Sequence, residues 1–312
     1  MFLYSLIVPF TITLITTPYF IRKFKESGLV VTDYYKKNKP MVPEKGGLII
    51  LLITLVSISI ASLFFDLPHS TFRIAAVLTL FGLTGLLDDL INIGRPSKIV
   101  MLYFFSFPLI PLISTNAIDF PLIGTIDFGI FYAIVIIPIY VMVTANLVNM
   151  HSGFNGLSSG LSLIILITLL AKSITENPDQ IDNLFAITCM ISATLAFFWY
   201  NKHTSRIFWG NIGALTVGSL IGIFIVIQGF LISGLVMLIP HIINFIMYVY
   251  WRIKKLPPDK FGKIRYDGTI EVPNQLTLKW FLPYYKRMTE KQATCLMYLL
   301  TLVFCIAGFF IT

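Results

Sequence analysis

Two adjacent carboxylates, Asp88 and Asp89, close an apolar run in the stretch Gly85-Leu86-Leu87-Asp88-Asp89-Leu90-Ile91-Asn92, with Arg95 and Lys98 just beyond. Like charges side by side at a low-dielectric boundary each raise the cost of ionising the other, and a divalent cation or a cationic side chain removes that cost. Neighbouring helical positions point about 100° apart, so the two acids need not chelate one ion. Asp88 and Asn92, at i and i+4, share a helical face. A solvated helix end is the competing reading, but acids are unfavourable at a helix C-terminus, which favours a site.

A second stretch, Asn146-Leu147-Val148-Asn149-Met150-His151-Ser152-Gly153-Phe154-Asn155-Gly156-Leu157, places three asparagines and two glycines between apolar runs. Asn supplies a hard carbonyl oxygen suited to Mg²⁺, and Gly allows a ligand close to the backbone. A polar Asn-Gly turn is the alternative, yet such a turn does not require Asn146 and Asn149. In a third stretch, 201–213, Lys202 and Arg206 could clamp phosphate, Phe208 or Trp209 could stack on a base, and Asn211 could ligate a metal. Interface anchoring accounts for the same Lys, Arg and Trp residues. The basic cluster Arg252, Lys254 and Lys255 could hold anionic lipid or a substrate diphosphate. Loop 22–46 carries Asp33, Lys36, Lys37, Lys39 and Glu44, with Pro43 and Gly46-Gly47 marking a fixed turn. His69, His151, His203 and His241 match no zinc spacing, and no G-x-S-x-G, Walker or G-x-G-x-x-G sequence is present.

These polar stretches interrupt a chain of 312 residues that is 56% hydrophobic and only 12% charged. Soluble proteins carry about 25% charged residues, so an ordinary soluble enzyme, a disordered chain and a nucleic-acid-binding domain are excluded. Ten stretches are apolar and long enough to expect membrane helices: 2–21, 47–65, 72–89, 99–114, 128–146, 156–172, 183–200, 212–229, 231–250 and 293–312. The first has no basic start and no small-residue cleavage site, so it reads as a span rather than a cleaved signal. Cys189, Cys295 and Cys305 all fall in spans and read as packing residues.

All of the 23 Lys and Arg except Arg73 and Lys172 fall in the loops 22–46, 88–98, 147–155, 201–211 and 251–292. Basic loops face the cytoplasm. The expectation is therefore an all-α polytopic membrane protein of about ten transmembrane helices, forming one domain over 1–312. Both termini lie outside and the active site lies in the cytoplasmic loops. Within the long loop 251–292, the segment from Leu276 to Tyr285 reads as interfacial, with Trp280, Tyr284 and Tyr285 at headgroup level. A transporter would carry ionisable residues in mid-span, and these are nearly absent.

Together the motifs resemble the polyprenyl-phosphate N-acetylhexosamine-1-phosphate transferases over nearly the whole chain. The match is best to the archaeal and eukaryotic UDP-GlcNAc–dolichyl-phosphate branch. Gly28-Leu29 through Asp33 and Lys36 to Pro43-Glu44 resembles the family's first loop; Asp88-Asp89-Leu90-Ile91-Asn92 with Lys98 resembles its aspartate-rich motif. Asn146-x-x-Asn149-x-x-x-Gly153-x-Asn155-Gly156-Leu157 is similar to its asparagine loop, and Pro240-His241-x-x-Asn244-Phe245 to a Pro-Gln-x-x-Asn-Phe helix. Phe208-x-Gly210-Asn211-x-Gly213 is similar to F-x-G-D, with Asn211 in place of the acid. The muramoyl-pentapeptide branch fits less well, because its His-rich motif is missing and Asn92 stands where it usually has Lys.

The resemblance implies Mg²⁺, with Mn²⁺ as a substitute, held by Asn149 and Asn211. It implies catalytic roles for Asp88, Asp89 and Lys98, with Lys98 on the diphosphate, and uracil contacts from Phe208 and Asn155. Further substrate contacts are implied at Asp33, Glu44, Asn92 and Asn146, and a basic sugar-phosphate loop at Arg252, Lys254 and Lys255. The partners so implied are UDP-GlcNAc, polyprenyl or dolichyl phosphate and membrane lipids, with no nucleic acid. A homodimer and an archaeal plasma membrane are compatible with it. An inactive lipid-phosphate-binding homologue and a transporter are the competing readings.

Overall fold

The computed structural model describes residues 1–121, 123–255 and 261–311, leaving aside the side chains of residues 180 and 182. It is a bundle of helices with three short antiparallel hairpins and no larger sheet among the described residues. In order, the helices are α1 (Phe2–Glu26), α2 (Gly47–Ala61), α3 (His69–Ile91), α4 (Arg95–Phe105), α5 (Ile137–Met150), α6 (Leu157–Glu176), α7 (Phe185–Asn201), α8 (Gly210–Gln228), α9 (Leu231–Met237), α10 (Ile239–Ile253), α11 (Leu278–Tyr285) and α12 (Glu290–Phe309). The hairpins pair β1 (Val30–Thr32) with β2 (Met41–Pro43), β3 (Ala117–Phe120) with β4 (Gly124–Asp127), and β5 (Lys263–Ile264) with β6 (Ile270–Glu271).

Each expected apolar stretch contains helix, but the spans differ in number and continuity. Among the described residues six helices are long and apolar enough to cross a membrane. α9 and α10, bent by 62° across Leu238, make a seventh if counted as one. α2 and α7 are apolar but shorter. The stretch expected over 99–114 is split into α4 and a 3-10 turn, Phe107–Leu112, that holds Pro108 and Pro111. Proline lacks the N–H that would continue the helix. Apolarity alone does not reveal such breaks.

α8 is the axis of the bundle, packed by α3, α5 and α2. In lipid there is no hydrophobic drive between helices, so close backbone approach through small residues holds them. Gly218 and Gly222 present this surface to α5, where an added Cβ would lie 2.8 Å from the Cα of Ala145 or Val141. At the start of the same helix, a Cβ on Gly47 of α2 would lie 2.1 Å from the amide nitrogen of Gly213. The N-terminus of α8 is thereby locked against α2 at one end of the bundle, where the polar loops meet.

Candidate active site

The first turn of α8 has free N–H groups that need acceptors. α3 supplies them from its last turn. Asp89 accepts from the backbone N of Asn211 at 3.1 Å on Oδ1 and from that of Ile212 at 3.3 Å on Oδ2. Gly85, one turn earlier, lets the two helices touch: a Cβ there would lie 2.6 Å from the Asn211 carbonyl oxygen. Asp88 faces another way, as its neighbouring position requires. Its Oδ2 accepts from Lys98 Nζ at 2.9 Å and from Asn211 Nδ2 at 3.0 Å. Asn92 does not continue the helical face with Asp88; it ends α3 in the left-handed conformation (φ 52°) and donates its backbone N–H to the Asp88 carbonyl.

This corner opens into a cleft of about 740 Å³ that Asp33, Glu44, Asp89, Asn149, Asn155, Phe208 and Asn211 all line. Pro43 to Gly47 is strapped to Phe208 and Trp209 by three backbone bonds: Phe208 N to Pro43 O, Gly46 N to Phe208 O and Gly47 N to Trp209 O, at 2.8–2.9 Å. The strap fixes Phe208 beside Glu44, whose carboxylate lies 3.4 Å from Lys45 Nζ. Asn149 sits in the last turn of α5, and its side-chain amide makes no hydrogen bond to a described residue. Asn146, one turn earlier, instead donates into its own helix, to the Met142 carbonyl at 2.9 Å, and does not line the cleft. His151 ends α5 packed edge-on to His241 of α10.

The opposite corner is built around Asn155. Its Nδ2 donates to Asp33 Oδ2 at 3.1 Å and to Glu290 Oε1 at 2.9 Å; its backbone N–H also donates to Glu290, at 2.6 Å. Its Oδ1 accepts from Ser205 N at 2.7 Å. Lys36 pairs with both carboxylates, and His203 Nε2 lies 3.6 Å from Glu290. Burial and the Lys36 charge push the His203 pKa down, against the pull of Glu290 and Asp33. Both side-chain N–H groups of Asn155 are thus engaged, and its Oδ1, which carries two lone pairs, has one of them taken by Ser205.

Behind this corner, Trp280 is buried, donating Nε1 to Tyr35 Oη at 3.2 Å. It packs inside the protein rather than on its surface, whereas Tyr284 and Tyr285 of the same helix are exposed. Lys279 turns inward and donates to the Ser152 carbonyl, and burial pushes its pKa down to about 8. Arg252, Lys254 and Lys255 are exposed at the end of α10 and none lines the cleft; residues 256–260 of the same loop lie outside the described residues. Lys202 and Arg206 line a separate cavity of about 460 Å³, with Lys202 Nζ 3.5 Å over the Trp199 ring.

Sequence reasoning missed Glu290. Thr289 and Gln292 form a reciprocal capping box that marks the start of α12. An acid in that first turn reads as ordinary helix chemistry.

Long apolar helices that converge on one polar cleft of carboxylates, amides and an aromatic ring define an integral membrane protein with a polar site at one end of its bundle. The chain belongs to glycosyl transferase family 4, whose family model matches residues 71–229. It is 35% identical to a protein of Saccharolobus solfataricus named "Putative UDP-N-acetylglucosamine--dolichyl-phosphate N-acetylglucosaminephosphotransferase", over 88% of this chain and 86% of that one. A protein of the same name from Sulfolobus acidocaldarius is 31% identical over the same shares. The phospho-N-acetylmuramoyl-pentapeptide-transferase of Dictyoglomus turgidum is 30% identical over 81% of this chain and 84% of that one.

Proposed function

We propose that this protein transfers N-acetylglucosamine 1-phosphate, or a related N-acetylhexosamine 1-phosphate, from the UDP-sugar to a membrane polyprenyl or dolichyl phosphate, releasing UMP. The observation that carries the reading is the shared cleft. Asp89 and Asn211 meet the unengaged amide of Asn149 and the ring of Phe208 there, on a chain whose archaeal relatives bear that activity in their names.

An oxygen of the lipid phosphate attacks the β-phosphorus of the UDP-sugar, and the bond to the bridging oxygen breaks, so that UMP leaves with it. Two anions must meet, and charge neutralisation and positioning dominate such a step. A phosphate monoester has its second pKa near 6, so the nucleophile is already ionised at neutral pH and needs no strong base. Asp88 accordingly serves to hold Lys98 at 2.9 Å and the Asn211 amide at 3.0 Å, rather than to abstract a proton. Lys98 supplies a positive charge to the phosphates. Phe208, fixed by its strap, offers a face for the base.

The donor set at this corner suits Mg²⁺, which takes hard oxygens and binds through few protein ligands plus substrate phosphates. The Asn149 side chain has no described partner, and the side-chain oxygen of Asn211 accepts no described hydrogen bond. These two residues, with Asp89 beside them, would hold the ion; when bound, it neutralises charge on the diphosphate. We place this cleft on the cytoplasmic side of an archaeal plasma membrane, following the bias of the basic residues.

The test is divalent-dependent release of UMP from UDP-GlcNAc by the purified chain, with and without polyprenyl phosphate. Release that requires the lipid phosphate is expected. Movement of UDP-GlcNAc across proteoliposomes without UMP release would replace the reading with transport.

A further inference from the structure

We propose that α12 grips the Asn155-Gly156 turn from both sides, and that Glu290 is a positioning residue for the nucleotide sugar. This rests on the transferase reading for its ligand. Neither residue that carries the grip lies within the segment matched by the family model, which ends at 229.

The geometry is specific. The turn presents a backbone N–H at Asn155 and a carbonyl at Gly156, which sits at φ +70° immediately before α6. Glu290, in the first turn of α12, accepts the N–H at 2.6 Å. Tyr298, two turns further along the same helix, donates its hydroxyl to the Gly156 carbonyl at 2.6 Å. Its ring lies against Gly160, where a Cβ would come within 2.4 Å of it. One helix therefore holds both polar ends of one turn.

Charge makes Glu290 the more consequential partner. Glu290 and Asp33 are each 3% exposed. Buried carboxylates persist only when paired and hydrogen-bonded, and here Lys36 and the donors of Asn155 supply both. Removing Glu290 leaves Lys36 with half its counter-charge and Asn155 with two orphaned donors. A buried group left unpaired costs far more than the net worth of its bond.

The consequence falls on one substrate. The residues the turn carries, from Ser152 to Ser159, line the same cleft as Phe208. Asp88 and Lys98 do not line this cleft and share no hydrogen bond with this network. Loosening the turn should therefore weaken nucleotide-sugar binding and spare the lipid phosphate.

The experiment compares Glu290→Ala, Glu290→Gln and Tyr298→Phe in the full chain in detergent. It measures UDP-GlcNAc affinity in the absence of lipid, KM for each substrate, and amide hydrogen exchange over 149–160 without nucleotide. Glu290→Ala is expected to raise the UDP-GlcNAc KM about tenfold with the polyprenyl-phosphate KM unchanged, and to speed exchange across the turn. The isosteric Gln keeps an acceptor for Asn155 and should fall between Ala and wild type. Equal loss for both substrates, or wild-type affinity in the Ala variant, overturns the assignment. If Glu290→Ala does not fold, Tyr298→Phe decides: it removes one hydroxyl from the other end, and unchanged exchange over 149–160 overturns the grip. Failure of the wild type to bind UDP-GlcNAc would refute the transferase reading instead, and the exchange comparison would still decide the grip.

Discussion

The two corners of the cleft are built from nearly the same parts. One has Asp88, Asp89, Lys98 and Asn211; the other has Asp33, Glu290, Lys36 and Asn155. Each sets two carboxylates against one lysine and one asparagine amide. They differ in what is left over. Asn155 spends every polar atom of its side chain on Asp33, Glu290 and Ser205. Asn211 donates to Asp88, its side-chain oxygen accepts from no described residue, and it lines the cleft together with Asn149, whose side-chain amide is unengaged. The same chemical inventory thus makes a closed support at one corner and, on the function proposed above, an open, reactive site at the other. Residue type does not separate the two, whereas unsatisfied hydrogen-bonding capacity does.

The comparison is broken most directly at the open corner. Asp88→Asn and Asp89→Asn are each expected to lower UMP release by at least about 10²-fold, the scale of lost charge stabilisation in an active site. Asp89→Asn should also lower the melting temperature, because it weakens a helix cap worth about 1 kcal/mol. Turnover near wild type in either would move the reactive site elsewhere. Next in size is Gly85→Ala. Its methyl would fall 2.6 Å from the Asn211 carbonyl, forcing α3 and α8 apart at a cost of about 1–3 kcal/mol, read as a lower melting temperature.

Asn211→Asp sharpens the contrast. It replaces a donor to Asp88 with a like charge, so in EDTA the variant should be about 1 kcal/mol less stable than wild type and should recover on addition of Mg²⁺. A melting temperature indifferent to the ion would remove Asn211 from the metal set. Smaller still are Arg252→Gln, Lys254→Gln and Lys255→Gln. These exposed cations should change the UDP-GlcNAc KM by less than about fivefold, and a larger loss would restore their implied diphosphate role.

The smallest effect is a slope in pH. The Lys279 pKa is about 8 in the folded chain against an ordinary 10.5. Between those values the unfolded chain binds more protons, so stability rises with pH across that window. Lys279→Met should flatten that rise, as measured by melting temperature from pH 8 to 10.5.

Much of the open corner was legible because each motif is local. Asp88 with Lys98, Asn149 within its glycine-rich loop, and Phe208 with Asn211 each lie on a short segment at a helix end. The closed corner was not, because Glu290 and Asn155 are 135 residues apart and meet only when α12 packs on α6. The motif marks Asn155 as a ligand contact, and only its bonding partners add that it also supports the turn. Trp280 misled because a run of aromatics before basic residues fits an interfacial belt as well as a buried contact to Tyr35. The apolar stretches were legible as helix. Their continuity was not, since Pro108 and Pro111 divide one and a 62° bend divides another.

The position of Glu290 has a consequence for biogenesis. The ribosome adds about 5–20 residues per second, so Glu290 is made on the order of ten seconds after Asn155. Throughout that interval the nascent protein already has its aspartate pair, its asparagine loop and Asp33, but not the two α12 residues that hold the turn. On the grip proposed above, the turn gains its full set of partners only when α12 docks, after the upstream spans have been made.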